Sequence, residues 1–274
     1  MIYAAFTVWL FLALFAGRGV YALWTRLVRP TWVNWALLPG TIVSEMAYIF
    51  GCLVTGGEIR RASLMPGGSA RGRASGSAAP GTQMTPRWKT VGPTVASLIS
   101  VLICAAALVA AVALVGEPVM EAFRESGGMW KAESLPTELP RNWNGFWEQA
   151  VTHVWMLRRI CETWGGLDWL NWRVPLFVYL TVCLSVRLAP VGRPLRPTLA
   201  AVVGVAAGVA VAGLISERSA RFMEQRVWHP LAYVWTTLLA VLVGTLVLHG
   251  FVAVIRALAG EKGHGRSVRL ADGD

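Results

Sequence analysis

Six runs of almost uninterrupted apolar residues, 2–24, 32–55, 94–115, 174–189, 198–216 and 230–255, dominate this 274-residue chain. Each approaches the roughly 20 residues that an α-helix needs to cross a hydrocarbon core about 30 Å thick. A soluble fold would have to hide all six in one interior, and the polar residues to cover it are missing. Only 15% of the chain is charged and 55% is hydrophobic, against about 25% charged in soluble domains. The pattern predicts an all-α, polytopic transmembrane helix bundle of about six spans. The fourth run is short and ends near Arg187, whose long side chain is expected to snorkel to the headgroups. The first run has no Lys or Arg ahead of it, and Leu14 stands where a cut after Ala16 would want a small residue, so it reads as an uncleaved span.

In such a chain the formal charge of +10 reports topology, because basic residues accumulate in cytoplasmic loops. The 57–93 loop, the 190–197 turn and the tail together hold twelve Lys and Arg. The opposite set holds Arg26 and Arg29, three more after the fifth span, and six in 117–173 diluted by eight acids. With six spans this count puts both termini on the cytoplasmic side of a cell membrane. No basic-aromatic stripe lies in a folded soluble segment, so no nucleic-acid partner is expected; the expected partner is the lipid bilayer.

The chain divides into two spans of which the second is broken (1–56), a basic cytoplasmic linker (57–93), a third span (94–116), an outer segment (117–173), spans four to six (174–255) and a cytoplasmic tail (256–274). The linker is rich in Gly, Ser, Pro and Arg and is expected to be flexible. The outer segment carries seven of the 14 Trp. Its apolar residues at 143, 146, 147, 150, 151, 154, 155, 160, 161 and 164 follow helical spacing after Pro140 and stop at Gly165-Gly166. This predicts an amphipathic, Trp-rich interfacial helix, with Trp169 and Trp172 as belt residues. A lid over a cavity is the alternative, and 141–164 is the surface that a protein partner would use. Gly204, Gly208 and Ala212 at four-residue spacing predict close helix packing within the chain. Cys52, Cys104, Cys161 and Cys183 show neither C-x-x-C nor metal-type spacing, so no disulfide framework or zinc finger follows.

Chemistry concentrates in the second run. Pro39 lacks an amide hydrogen and Gly40 relaxes the backbone, so the helix should kink or break there. Glu45 then lies near mid-membrane, where an ionised acid costs roughly 3 kcal/mol on insertion scales. It must face the bundle interior and be protonated, paired or hydrated. Ser44 is no nucleophile for it, because adjacent helix positions point about 100° apart.

The string P-G-T-I-V-S-E-M-A-Y (39–48), followed by G-C-L-V-T-G-G-E-I (51–59), resembles the active-site span of site-2 protease-like intramembrane zinc metalloproteases. There P-G-T precedes an H-E-x-x-H helix whose two His bind zinc and whose Glu is the general base. Glu45 matches the base, whereas Ser44 and Tyr48 stand at the two histidine positions. The third ligand of that family is an Asp in an L-D-G-type motif, and the one Leu-Asp pair here is Leu167-Asp168. A second segment, V-R-L-A-P-V-G-R-P-L (186–195), is similar to one that ends a later span in some relatives, with His and Asp at the places of Arg187 and Pro194. The resemblance implies a member that has lost its metal and its hydrolysis: no catalytic residue, no metal ligand, no cofactor. Of the four histidines, 153, 229, 249 and 264, His249 alone falls at membrane depth, where it is expected to pack against a carbonyl or Glu45. The predicted function is a non-catalytic scaffold, binding or regulatory subunit. The alternatives are a small proton- or cation-coupled transporter using Glu45, and an atypical intramembrane metallohydrolase.

Overall fold

The computed structural model describes residues 2–61, 83–85, 91–126, 135–136, 140, 142–188, 195–215 and 227–258. Nine helices are found among them: α1 (Ile2–Leu27), α2 (Pro30–Ala36), α3 (Leu38–Val54), α4 (Val91–Val115), α5 (Glu117–Glu125), α6 (Trp143–Gly166), α7 (Arg173–Leu188), α8 (Leu195–Ile215) and α9 (Trp228–Leu258). The helical architecture matches the prediction. One short addition lies inside the stretch read as a linker: β1 (Glu58–Arg61) and β2 (Gln83–Thr85) pair antiparallel, with Glu58 opposite Thr85. Most of that linker, the 189–194 turn and the tail from 259, including Pro194 and His264, lie outside the described residues.

Three helices are long and apolar enough to cross a membrane: Tyr3–Leu27, Val91–Val115 and Trp228–Ile255. Counting the bent pair α2–α3 as one span would make four. The expected six are not reached on this criterion. α7 has 16 residues, about 24 Å at 1.5 Å per residue, and the apolar stretch of α8, Arg196–Val211, is equally short.

Side-chain contacts fix the helix directions. Trp9 meets Trp235 at 5.5 Å between ring centroids, and Trp24 Nε1 donates to Thr245 Oγ1 at 2.9 Å, so α1 and α9 run parallel. On α7, Phe177 stacks on Tyr233 of α9, while the Ser185 and Val186 backbone touches Gly17 of α1; α7 therefore shares their direction. Along α3, the Ala36 carbonyl just before it takes the Tyr179 hydroxyl at 2.8 Å and Gly40 lies against Cys183 and Arg187. That makes α3 parallel to α7 as well. The opposite direction belongs to α4, which pairs Ala96 with Gly51 and Ser100 with Ser44, and to α8, which sets Gly213 against Tyr3.

Two expectations change as a result. A second span following α1 would run antiparallel to it, and α3 does not. After the turn at Arg29, α2 brings Asn34 beside Tyr21 of α1, and α3 then heads toward the C-terminal end of α1. The pair is bent by 84°, as in a broken span or a re-entrant loop. The N-terminal end of α1 and the C-terminal end of α9 consequently lie at opposite ends of the bundle, not on one side as the six-span count required.

The break itself falls at Leu37, two residues before Pro39, and Pro39 occupies the first turn of α3. Proline fits there because the first amides of a helix have no intrahelical partner. Gly40 serves close approach: a Cβ on it would overlap the Cys183 carbonyl and come within 3.1 Å of Arg187 Cγ. In α8 the small residues do not act as expected. A Cβ added at Gly208 would meet nothing within 4 Å, and one added at Gly204 would meet only Leu98, at 3.8 Å, so the tight crossing is at Gly213 instead.

α6 spans the predicted residues and ends at its two glycines. Its packed face, Met156, Arg159, Ile160 and Thr163, meets α5 and α9, while Trp143, Phe146, Trp147, Val151 and Val154 point outward. The apolar stripe read from the sequence is thus mostly the uncovered face. Gly40→Val should destabilise the protein by about 1–3 kcal/mol through overpacking, whereas Gly208→Ala should be neutral or slightly stabilising. Unfolding of both variants in mixed detergent micelles checks this; equal stability of the two would refute the close α3–α7 contact.

Candidate functional site

The site is built where the break in the second apolar run meets α7. Ending α2 at Leu37 frees carbonyls that membrane-embedded backbone cannot leave to water. The Ala36 carbonyl receives both the Tyr179 hydroxyl, at 2.8 Å, and the Cys183 thiol, at 3.5 Å. One turn earlier Asn34, 1% exposed, offers its Oδ1 to the Arg187 guanidinium at 2.5 Å and to the Tyr21 hydroxyl at 3.1 Å. The guanidinium also lies over the Tyr21 ring, 5.0 Å from its centroid.

Arg187 is the chief departure from expectation. Rather than snorkelling, it is buried, and so is the whole 183–188 end of α7. It is close enough to Glu45 for a favourable electrostatic interaction, and Glu45 is itself 6% exposed. A buried cation and a buried acid that attract one another in low dielectric offset part of each other's desolvation. Glu45 therefore does face the bundle interior, as its position demanded.

The other two positions of the motif are buried but differently occupied. Ser44 turns its hydroxyl back to the Thr41 carbonyl at 3.1 Å, and its own carbonyl accepts from Ser100 at 3.2 Å. Tyr48 packs with Cys52 and Ala96 in the α3–α4 seam. Beside them Ser44, Ser97, Ser100, Thr198 and Arg187 line a narrow recess. It has room for about one water. Arg187 Nε and Thr198 Oγ1 are buried there without a protein partner.

The remaining candidates stay apart. Asp168 is exposed in the turn before α7, where it accepts from the Leu170 amide; nineteen positions along from it, Arg187 is more than 20 Å away by helix rise. His153 packs against Trp9 and, edge-on, against Trp235 and so joins α6 to α1 and α9. His249 sits on α9, which packs chiefly on α1, α6 and α7 and not on α3. Among the described residues no three His, Cys, Asp or Glu come together as a metal would require. Ser44 and Tyr48 at the two histidine positions, with the Arg187 guanidinium near Glu45, do not make the ligand set that zinc requires in the family's active members.

Sequence reasoning missed Asn34 and Tyr21. Asn34 had a visible signal, being a lone amide among apolar neighbours. It missed Arg159 too, which is buried between α5 and α6, bonds the Phe123 carbonyl and Ser126, and lies 4.0 Å over the Phe123 ring. Comparison with known proteins adds nothing to this picture: no family model, curated protein or solved structure matches the chain.

Removing one member of a buried charge pair typically costs 3–5 kcal/mol, so Arg187→Met should destabilise by about that much. Combining it with Glu45→Gln should recover part of the loss, and strict additivity in a double-mutant cycle would mean that the two do not interact. Tyr179→Phe leaves the Ala36 carbonyl short of its best donor and should cost about 1–2 kcal/mol, read in the same unfolding assay.

Proposed function

We propose that the chain is a cell-membrane protein of five crossings, α1, α4, α7, α8 and α9, with α2–α3 as a re-entrant hairpin. It is further proposed to be a non-catalytic, metalloprotease-like scaffold or binding subunit. The alternation of helix directions supports the five crossings, and modest local thinning accommodates the shorter helices. This arrangement carries the α1–α2 turn to the end of the bundle that the 57–93 loop, the 190–197 turn and the tail join. Arg26 and Arg29 then add to the twelve basic residues there, while nine remain opposite. The basic side is cytoplasmic, so the N-terminus is outside and the C-terminus inside. α6 lies at the outer end, its Trp143–Val154 face suited to the lipid interface or to a protein partner.

The observation that carries the loss of catalysis is Arg187 beside Glu45. A fixed positive charge interacts with the acid that the resemblance would place beside a divalent cation, and like charges close together in a low-dielectric interior oppose binding of that cation. With Ser44 bonded to its own helix and Tyr48 packed against α4, the two remaining ligand positions serve structure.

A second reading, a proton-coupled site, draws on the hydroxyl-lined recess next to Arg187 and the buried Glu45. pH-dependent flux in proteoliposomes that disappears in Glu45→Gln would favour it over the scaffold.

Purified protein should carry no stoichiometric zinc; tightly bound zinc lost on Glu45→Gln would overturn the non-catalytic reading and favour an atypical hydrolase. For topology, an N-terminal epitope tag should be accessible on intact cells and a C-terminal tag only after permeabilisation. Tags found on the same side would refute the five-crossing arrangement.

A further inference from the structure

Away from the polar cluster, α1, α2 and α9 wall an open groove of about 410 Å³, in the size range of small-molecule sites. Its walls include Trp24 and Val28 of the α1 end, Trp32 and Val33 of α2, and Thr245 and Leu248 of α9. They are almost entirely apolar. The Thr245 hydroxyl is already engaged, accepting from Trp24 Nε1 at 2.9 Å and donating to the Val241 carbonyl at 2.6 Å. An occupant must therefore present hydrocarbon to these walls.

Charge lies next along the chain. Arg26 and Arg29 are the sequence neighbours of the groove residues Leu27 and Val28, both arginines are exposed, and no Asp or Glu occurs in the first 44 residues. Depth agrees with this division. The apolar stretch Trp228–Ile255 has its middle near residue 241, so Leu248 stands about 10 Å above the midplane, inside a half-thickness of about 15 Å. From there an arginine stem reaches the headgroup level.

We infer that this groove binds an anionic phospholipid, one acyl chain lying along α2 and the phosphate held by Arg26 and Arg29. The inference rests on the membrane-embedded reading given above, and in the orientation proposed there the lipid comes from the cytoplasmic leaflet, where anionic headgroups concentrate. Its functional interest lies in Val33. This groove residue immediately precedes Asn34, the acceptor for Arg187 and Tyr21. A chain packed on α2 thus supports the element that holds the Glu45–Arg187 cluster, and the lipid binds the folded hairpin in preference to the opened one.

The test uses full-length protein in mild detergent, titrated with phosphatidylglycerol or phosphatidylcholine of identical chains and followed by native mass spectrometry and thermal unfolding. Phosphatidylglycerol should be retained preferentially and raise Tm. Arg26→Ala/Arg29→Ala should weaken that preference by up to about thirty-fold, the factor for two basic groups at an anionic surface, with Tm unchanged when no lipid is added. Val28→Trp, which fills an outward-facing wall position, should abolish retention of both lipids.

Equal retention of the two lipids by the unaltered protein, or retention indifferent to these substitutions, overturns the site. A groove covered by a second copy of the chain would show instead as a dimer that Val28→Trp dissociates, which also overturns it. Protein that stays soluble without detergent would strike at the membrane reading itself, a failure separate from any lipid result.

Discussion

A helix that bends inside a membrane must find partners for the backbone groups it exposes, and the arrangement around Leu37 follows from that requirement. The Ala36 carbonyl is met by Tyr179 and Cys183, and Asn34 by Arg187 and Tyr21. All but one of these donors come from α7. The short helix is therefore buried along its last turns because the hairpin requires a polar strip beside it, and α7 carries that strip at positions 179, 183 and 187, one helical turn apart. Gly40 is the steric complement of the same contact, since any side chain there would push α3 away from the donors that satisfy its neighbour.

Charge enters through the same strip. Glu45 follows the bend by two turns and Arg187 follows Cys183 by one, so the parallel course of α3 and α7 brings acid and base together. A pair of this kind adds little net stability by itself, because both groups give up hydration. Its effect is on specificity: an antiparallel α3, or a hairpin shifted by one turn, would leave a lone charge in hydrocarbon. The hydroxyls of Ser97, Ser100 and Thr198 beside it surround the pair with weak dipoles at the junction of α3, α4, α7 and α8.

Much of the helical layout was legible in the sequence. The apolar runs mark the long helices, and the limits of α6 follow from Pro140 and Gly165-Gly166 because helix-breaking residues act locally. The burial of Glu45 was legible too, since an acid in an apolar run has few places to go. What was not legible depends on pairs of helices. Periodicity cannot say whether a run of 24 apolar residues crosses or turns back, and it carries no sign that α3 runs parallel to α1. Arg187 looked like a snorkelling residue because it stands near the end of its run; only the neighbouring Asn34, from a segment about 150 residues away, shows that this end lies in the interior. The α6 stripe had a true period but an ambiguous destination, because lipid and protein interior reward the same residues.

The pairing of α1 with α9 bears on how the chain is made. These are the first and last of the described helices, and the Trp24–Thr245 bond joins residues 221 positions apart. Hairpins such as α3–α4 can close as soon as their second helix is inserted, but the Trp24 indole meets Thr245 only once α9 is made, whereas Trp9 already finds the Pro136 carbonyl and His153. Until then α1 packs on α7 and α8, and the large sequence separation delays its final contact. Among the described helices α9 thus acts as the closing stave of the bundle, and a chain cut short before Trp228 would leave the Trp24 indole without Thr245 and Trp9 without Trp235.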